Sequence, residues 1–232
     1  MRYTTPIWIN GVSALKTVFN SADQIKSQLR DLHNQKGSNK AIITAISGIE
    51  GSGKRAITDK VAEALRLVGI SVAIVHTDDW EAAEKIRFNV MNTPQEYYLN
   101  AYRLDDMVEQ LILPLKLFGR VKTSVTLENV LNPRTTYYDL ENIDIILIEG
   151  TYLIQQAYLE LYDYSIWVKS NFEAAFARLD SQVCIEQSQQ SLVNLFERLV
   201  KPAAQYHIYT DDPQGNAAAL YIEQESNNND SK

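Results

Sequence analysis

The sequence predicts an α/β fold, a doubly wound parallel sheet of about five strands with helices on both of its faces. Two observations predict this fold. Short apolar stretches alternate along the chain with helical patterns, which is typical of parallel strands joined by crossover helices. The stretches lack alternating polar residues, as in Ile145-Ile-Leu-Ile148, and parallel strands that are covered on both faces have this composition.

The predicted elements follow one another between residues 41 and 222. Strands are expected at 41–47, 71–76, 143–149, 164–168 and 218–222. Helices are expected at 55–68, at 94–118 with a break near Pro114, at 172–183 and at 192–206.

The two ends of the chain have a different character. Residues 1–40 are expected to form an N-terminal helical adapter and a polar linker, in which Ile25, Leu29 and Leu32 share one face of a helix behind Ser21. Residues 223–232 are polar, and we expect a frayed tail. Residues 41–222 would be the catalytic or ligand-binding domain.

Composition excludes several classes of partner. The net charge is −7 and no run of basic residues extends beyond Lys54-Arg55, so we expect no nucleic acid partner. No stretch approaches the roughly 20 apolar residues of a membrane span, and the N-terminus lacks the apolar segment of a signal peptide. The only cysteine is Cys184. We therefore expect a cytoplasmic protein that acts on a small molecule, and a homo-oligomer remains open.

A glycine-rich turn joins the first of these strands to a helix. It reads Gly48-Ile-Glu-Gly-Ser-Gly-Lys54, which is the phosphate-binding P-loop pattern in its proper strand–turn–helix context. The backbone amides and the helix N-terminus would hold a phosphate chain, and Lys54 would reach its outer phosphates. The predicted nucleotide-binding residues are Gly48, Glu50, Gly51, Ser52, Gly53, Lys54, Arg55 and Ala56.

One position of the P-loop departs from the pattern. Arg55 stands where a Ser or Thr hydroxyl usually holds Mg²⁺. A metal ion would need water, Thr58 or an acidic residue instead. Nucleotide binding is therefore the stronger inference and phosphoryl transfer the weaker one.

Acidic residues lie at the ends of the next two predicted strands. Asp78 and Asp79 follow the second strand, and Glu149 ends the third. Phosphoryl transfer uses one carboxylate to accept a hydroxyl proton and others to hold Mg²⁺. Asp78 is the candidate base, Glu149 is a candidate metal ligand, and Asp79 is either a metal ligand or a solvated loop carboxylate.

Together these motifs resemble those of the uridine kinase-like P-loop kinases, a group with uridine/cytidine kinase, phosphoribulokinase and bacterial pantothenate kinase. The likeness lies in the P-loop, in Thr77-Asp-Asp-Trp80 and in Leu147-Ile-Glu-Gly-Thr-Tyr-Leu153, in the family's order. It implies the P-loop nucleoside triphosphate hydrolase fold, ATP and Mg²⁺ as cofactors, and transfer to a hydroxyl of a small molecule such as a nucleoside. By this resemblance Lys54 would neutralise the β- and γ-phosphates, Asp78 would deprotonate the acceptor, and Glu149 would organise Mg²⁺.

The resemblance also suggests substrate and lid residues. Asp79, Tyr98, Arg103 and Tyr138 are the candidates for contact with the acceptor, although the tyrosines are equally compatible with simple packing. The lid after the fourth strand would supply arginines to the transferring phosphate, and Arg178 is the candidate.

Two functions remain open. The first is an ATP-dependent small-molecule kinase. The second is a nucleotide-binding sensor or regulatory protein of the same fold with little or no catalysis, which Arg55 and the arginine-poor lid favour.

Overall fold

Nine strands are found in a computed structural model, which describes residues 3–9, 12–37, 41–127, 133–182 and 189–223. In chain order the strands are β1 (Tyr3–Ile9), β2 (Val12–Phe19), β3 (Ile42–Ser47), β4 (Val72–His76), β5 (Val121–Leu127), β6 (Arg134–Leu140), β7 (Ile145–Gly150), β8 (Tyr164–Lys169) and β9 (Ala219–Ile222). Seven of them form one sheet in the order β1-β2-β9-β8-β3-β7-β4, and β5 and β6 form a separate antiparallel hairpin. In the main sheet only β1, which pairs with β2, is antiparallel to its neighbour among the described strands.

Helices cover both faces of this sheet. In chain order they are α1 (Ala22–Lys36), α2 (Lys54–Arg66), α3 (Glu84–Arg87), α4 (Pro94–Asn100), α5 (Leu104–Met107), α6 (Leu113–Phe118), α7 (Phe172–Gln182), α8 (Gln189–Leu195), α9 (Lys201–Asp211) and α10 (Pro213–Asn216). The predicted α/β fold with a doubly wound parallel sheet is confirmed. All five predicted strands are present, as β3, β4, β7, β8 and β9.

The central strands are apolar on both sides because each side meets a different core. Ile145 and Leu147 of β7 pack with α1 and α2 on one face. Ile146 and Ile148 pack on the other face against the helices between residues 94 and 118 and the segment 196–203. A continuous apolar strand is therefore what the two layers require.

The prediction of one long helix over residues 94–118 is wrong, because the structure has several shorter helices there. The structure has α4, α5 and α6 with a wide π-turn at Val108–Ile112. A proline ring clashes with the carbonyl four residues before it, so the wider turn ahead of Pro114 accommodates the ring within the helical path. The same arrangement recurs at Phe196–Val200, just ahead of Pro202.

The N-terminal segment contributes to the main sheet. The predicted helix is present as α1, capped by Ser21, with Ile25 and Leu29 buried. Sequence analysis missed β1 and β2, and β2 pairs in parallel with β9. The division of the chain at residue 40 stays a prediction, as does that at residue 222, and residues 224–232 lie outside the described part. Within the described ranges, no helix combines the length and the apolar character needed to cross a bilayer.

If α1 is an integral layer of the fold, truncating its buried face should destabilise the whole protein. Leu29 is 0% exposed, so Leu29→Ala is expected to lower the free energy of unfolding by about 2–5 kcal/mol. Leu67→Ala is the matched control, because Leu67 is 81% exposed and its loss should change stability by less than about 0.5 kcal/mol. Urea denaturation measures both, and equal effects would contradict the docking of α1.

Candidate nucleotide-binding and phosphoryl-transfer site

The P-loop connects β3 to α2 at the carboxyl edge of the sheet. Gly53 adopts a left-handed conformation with φ of 86° at the start of α2, and it has no side chain to cap the first N–H groups of the helix. Gly48 is required for another reason, because a Cβ atom there would lie 2.5 Å from Ser52 Oγ and 2.8 Å from the carbonyl oxygen of Val168. Lys54 Nζ donates to the carbonyl oxygen of Ile49 at 3.3 Å. The loop is thus shaped as an anion-binding turn.

The strand register places Glu149 beside the P-loop. Strand β7 lies between β3 and β4, and Glu149 is level with Ile46 on one side and with His76 on the other. Asp78 follows directly after β4, in a short 3-10 segment at Thr77–Trp80. Because all three strands are parallel, their carboxyl ends meet at one edge, as expected for a ligand site in a doubly wound sheet.

Glu149 is buried and surrounded by cationic groups. Its Oε2 atom is 2.9 Å from His76 Nδ1 and 3.7 Å from Arg55 Nε. Burial by itself would raise the pKa of Glu149, but the hydrogen bond with His76 and the charges of Lys54 and Arg55 outweigh it and hold the pKa below its ordinary value. In the other direction, the hydrogen bond to Glu149 raises the pKa of His76 above 6.5. Glu149 is therefore an ionised carboxylate in this site.

Arg55 also pairs with Asp78. Its Nη2 atom donates to Asp78 Oδ2 at 2.7 Å, and both side chains are about half exposed, at 55% and 44%. One guanidinium therefore lies between the predicted base and the predicted metal ligand.

Most of the predicted nucleotide and catalytic residues line one cleft of about 500 Å³. From the predicted set, the lining includes Glu50, Gly51, Ser52, Gly53, Lys54, Arg55, Ala56, Asp78, Glu149 and Arg178. The structure thus brings together residues that are more than a hundred positions apart in the sequence. This volume lies within the range of small-molecule sites.

Asp79 does not line this cleft and is already bonded. Its Oδ1 atom accepts from Arg134, and its Oδ2 atom accepts from the Tyr138 hydroxyl at 2.8 Å. The carboxylate is 10% exposed. Asp79 and Tyr138, both predicted to contact substrate, instead bind each other and connect the β4 loop to the β5–β6 hairpin.

Tyr98 is a core residue, which corrects its assignment to the acceptor site. Its hydroxyl donates to Asp211 Oδ2 at 2.6 Å, and the same carboxylate oxygen lies 2.8 Å from His207 Nδ1. The ring is 6% exposed and packs at its edge against Tyr152. The hydroxyl is satisfied inside the protein, so it is not directed at a ligand.

Arg103 lines a second cleft of about 730 Å³, which shares Glu81 and Tyr102 with the P-loop cleft. Its guanidinium donates to the carbonyl oxygen of Thr126 at 3.0 Å and pairs with Asp106 at 3.5 Å. Of the predicted acceptor residues, Arg103 thus lies in a cleft that adjoins the P-loop cleft. Its contact with an acceptor stays a prediction.

Arg178 lies on α7 and contacts the P-loop directly. It donates to the carbonyl oxygen of Gly51 at 3.3 Å and pairs with Glu223 at 2.9 Å. Residues 183–188, in the predicted lid, lie outside the described residues. Arg198, which follows this segment in the chain, donates to the backbone carbonyls of Val90 and Asn92.

Sequence analysis missed a polar group between the two clefts. Glu81 pairs with Arg87, whose guanidinium lies 5.5 Å from the ring centre of Tyr102. Burial raises the pKa of Glu81 to about 7, with the Arg87 charge acting against it. His76 was missed as well. Their position in the sequence could have indicated them, because His76 and Glu81 lie on either side of the Asp-Asp pair at the end of a strand.

The side chains at this edge do not fit the expected magnesium site. Thr58, the hydroxyl closest in sequence to Arg55 on α2, is buried and donates to the carbonyl oxygen of Lys54 at 2.8 Å. Asp79 is taken by Arg134 and Tyr138. Among the described residues, no cluster of three or more His, Cys, Asp or Glu side chains is arranged to hold a metal ion.

Comparison with known proteins supports this description of the fold. No family model and no curated protein matches the chain. Among solved structures, it is similar to a possible uridine kinase from Bacillus stearothermophilus, with 19% identity and a TM-score of 0.64 over 85% of this chain and 99% of the other. It is also similar to D-glycerate 3-kinase from Cryptococcus neoformans, with 11% identity and a TM-score of 0.58 over 81% of this chain and 89% of the other.

This chain has the P-loop nucleoside triphosphate hydrolase fold. The resemblance to uridine kinase-like P-loop kinases in the motifs is thus confirmed at the level of the fold. In doubly wound sheets ligands bind at the carboxyl edge, where the cleft of this chain lies.

The pair formed by His76 and Glu149 can be tested by histidine titration. In an NMR titration we expect His76 to titrate above pH 6.5, because Glu149 stabilises its charged form. Glu149→Gln should lower that pKa. Since the pKa of His76 is higher in the folded state, the pair stabilises the protein fully below pH 6.5, and this stabilisation is lost as the pH rises through the folded-state pKa. An unchanged pKa in the variant would contradict the pairing.

Proposed function

We propose that this protein is an ATP-dependent kinase that transfers a phosphoryl group to a hydroxyl of a small molecule. The observation that carries the proposal is that Lys54, Asp78 and Glu149 line one cleft at the carboxyl edge of the sheet. A phosphate-binding loop and a carboxylate at this edge are the parts that positioning and charge stabilisation require. The kinase fold supports the proposal, and the chemistry rests on these residues.

Each residue has a distinct role in this proposal. The loop amides and Lys54 bind the phosphates, and Asp78 accepts the proton of the attacking hydroxyl. Glu149 orients the Arg55 guanidinium beside Asp78, since its Oε2 atom is 3.7 Å from Arg55 Nε. Asp78 becomes available as a base when Arg55 turns from it toward a phosphate.

The second cleft is the proposed acceptor pocket, and its charge favours an uncharged or cationic acceptor. It is lined by the carboxylates of Asp105 and Asp106 and by one arginine, Arg103, while Glu81 in the same lining is paired with Arg87. An anionic acceptor such as a carboxylate or a phosphorylated sugar would meet like charges there. A nucleoside or another uncharged polyol fits this lining, and the rings of Tyr102 and Tyr158 border it, although the Tyr158 hydroxyl already donates to Asp105 at 2.6 Å.

A second candidate function is nucleotide binding with little or no catalysis. The ion pair between Arg55 and Asp78 favours it, because the guanidinium holds the predicted base. In that case the cleft would bind a nucleotide as a signal.

Replacing the P-loop lysine should weaken nucleotide binding whether the protein is a kinase or a sensor. Lys54→Ala removes the charge that faces the outer phosphates and is expected to weaken ATP binding at least tenfold, or about 1.4 kcal/mol. Lys116→Ala is the control, since Lys116 bonds to the carbonyl oxygen of Glu160, and neither residue lines the P-loop cleft. Calorimetric titration measures both affinities, and an unchanged affinity in Lys54→Ala would remove the P-loop from the proposal.

Replacing the proposed base separates the two functions. Asp78→Asn should retain ATP binding and lower the rate of phosphoryl transfer by about 10²–10⁴-fold, the contribution of general base catalysis. ADP release is measured with uridine, cytidine and pantothenate as acceptors, and the two nucleosides should be preferred over the anion. A wild-type protein that binds ATP but turns over none of several neutral polyols supports the sensor function instead.

A further inference from the structure

Arg55 occupies the centre of the catalytic edge. It donates to Asp78 at 2.7 Å and lies 3.7 Å from Glu149, so its guanidinium bridges the two carboxylates that a metal ion would otherwise approach. These carboxylates come from two different strand ends, and Arg55 comes from the first turn of α2. The Arg55 guanidinium therefore lies between acidic groups at the place where the resemblance implies a divalent metal ion.

We propose that the P-loop cleft binds the nucleoside triphosphate without a divalent metal ion, and that the Arg55 guanidinium supplies the positive charge in its place. The inference rests on the proposed nucleotide site. Arginine is suited to this role because its planar group donates to two phosphate oxygens at once and it is always charged.

The carboxylates here favour the guanidinium over a metal ion. Glu149 Oε2 already accepts a hydrogen bond in its contact with His76 at 2.9 Å, and Arg55 lies on the same oxygen. Mg²⁺ requires near-octahedral oxygen ligands at short distances. To bind Asp78 Oδ2 and Glu149 Oε2 it would have to displace Arg55 from both atoms, and it would gain no hydroxyl ligand at position 55 in return.

Arg55 can leave its ion pair with Asp78 and bind the phosphates. The pair with Asp78 is exposed to solvent, and exposed ion pairs are weak enough for a polyanion to compete with them. Arg55 follows Lys54 directly, and both line the cleft together with Arg178. A triphosphate on the loop would therefore meet Lys54, Arg55 and Arg178, three of the five cationic side chains that line the cleft.

The decisive measurement is the affinity of the protein for ATP in excess EDTA and in excess Mg²⁺, by calorimetric titration. For the wild-type protein we expect dissociation constants within about threefold of each other. ATP that binds more than tenfold tighter with Mg²⁺ would overturn the inference and leave the proposed kinase function intact. No binding in either buffer would overturn both.

Substitution of Arg55 gives a second readout that does not depend on catalysis. Arg55→Thr removes the guanidinium and restores a hydroxyl, so it should lose at least tenfold in affinity in EDTA and regain most of it in Mg²⁺. Arg55→Gln removes the charge without a metal-ligating hydroxyl, so it should lose the same affinity in EDTA and regain less in Mg²⁺. If both variants bind ATP in EDTA as well as the wild type, the guanidinium does not replace the metal.

A matched control checks that the effect belongs to the site. Arg120→Thr makes the same exchange in an exposed ion pair with Glu141, outside the P-loop cleft. It should retain both wild-type affinities. Circular dichroism of all variants confirms that they are folded, and an equal loss of affinity in Arg120→Thr would overturn the assignment to Arg55.

Discussion

The parallel register of β3, β7 and β4 is the constraint on which the site depends. It makes three consecutive strand ends meet, so that the P-loop, Glu149 and Asp78 open into one cleft. A shift of one residue in β7 would turn Glu149 to the opposite face of the sheet, since side chains alternate along a strand. The two apolar cores prevent such a shift, because Ile145 and Leu147 belong to one core and Ile146 and Ile148 to the other.

Within that frame, charge decides what the cleft can hold. The positive groups are on the P-loop and α2, and the negative groups are at the ends of β4 and β7. In the absence of a ligand they neutralise each other through Arg55, and the buried Glu149 stays ionised because His76, Lys54 and Arg55 surround it. The positive and negative side chains of the site therefore compensate each other's charge. A bound polyanion would change this by attracting the cationic side chains away from the carboxylates.

Continuous apolar strands and glycine-rich turns were predictable because they produce strong local patterns. All five strands and the P-loop side of the cleft followed from such patterns. The β5–β6 hairpin did not, because half of its fourteen residues are exposed and only four, Val121, Val125, Tyr138 and Leu140, are buried. Tyr98 was misassigned for a related reason: its partner, Asp211, is 113 residues away in the sequence. Arg55 was visible as an unusual residue, but its contact with Asp78 depends on the three-dimensional placement of another loop.

The pairing of β2 with β9 has a consequence for how the chain folds. Thr17 pairs with Ala219, and the two residues are about two hundred positions apart in the sequence. The β2–β9 pair can therefore form only after nearly all of the intervening chain has been synthesised. Until then, β2 has an unpaired edge, and an unpaired edge is where strands of different molecules associate. The order of synthesis thus leaves this edge of β2 open to association with other molecules until β9 has been made.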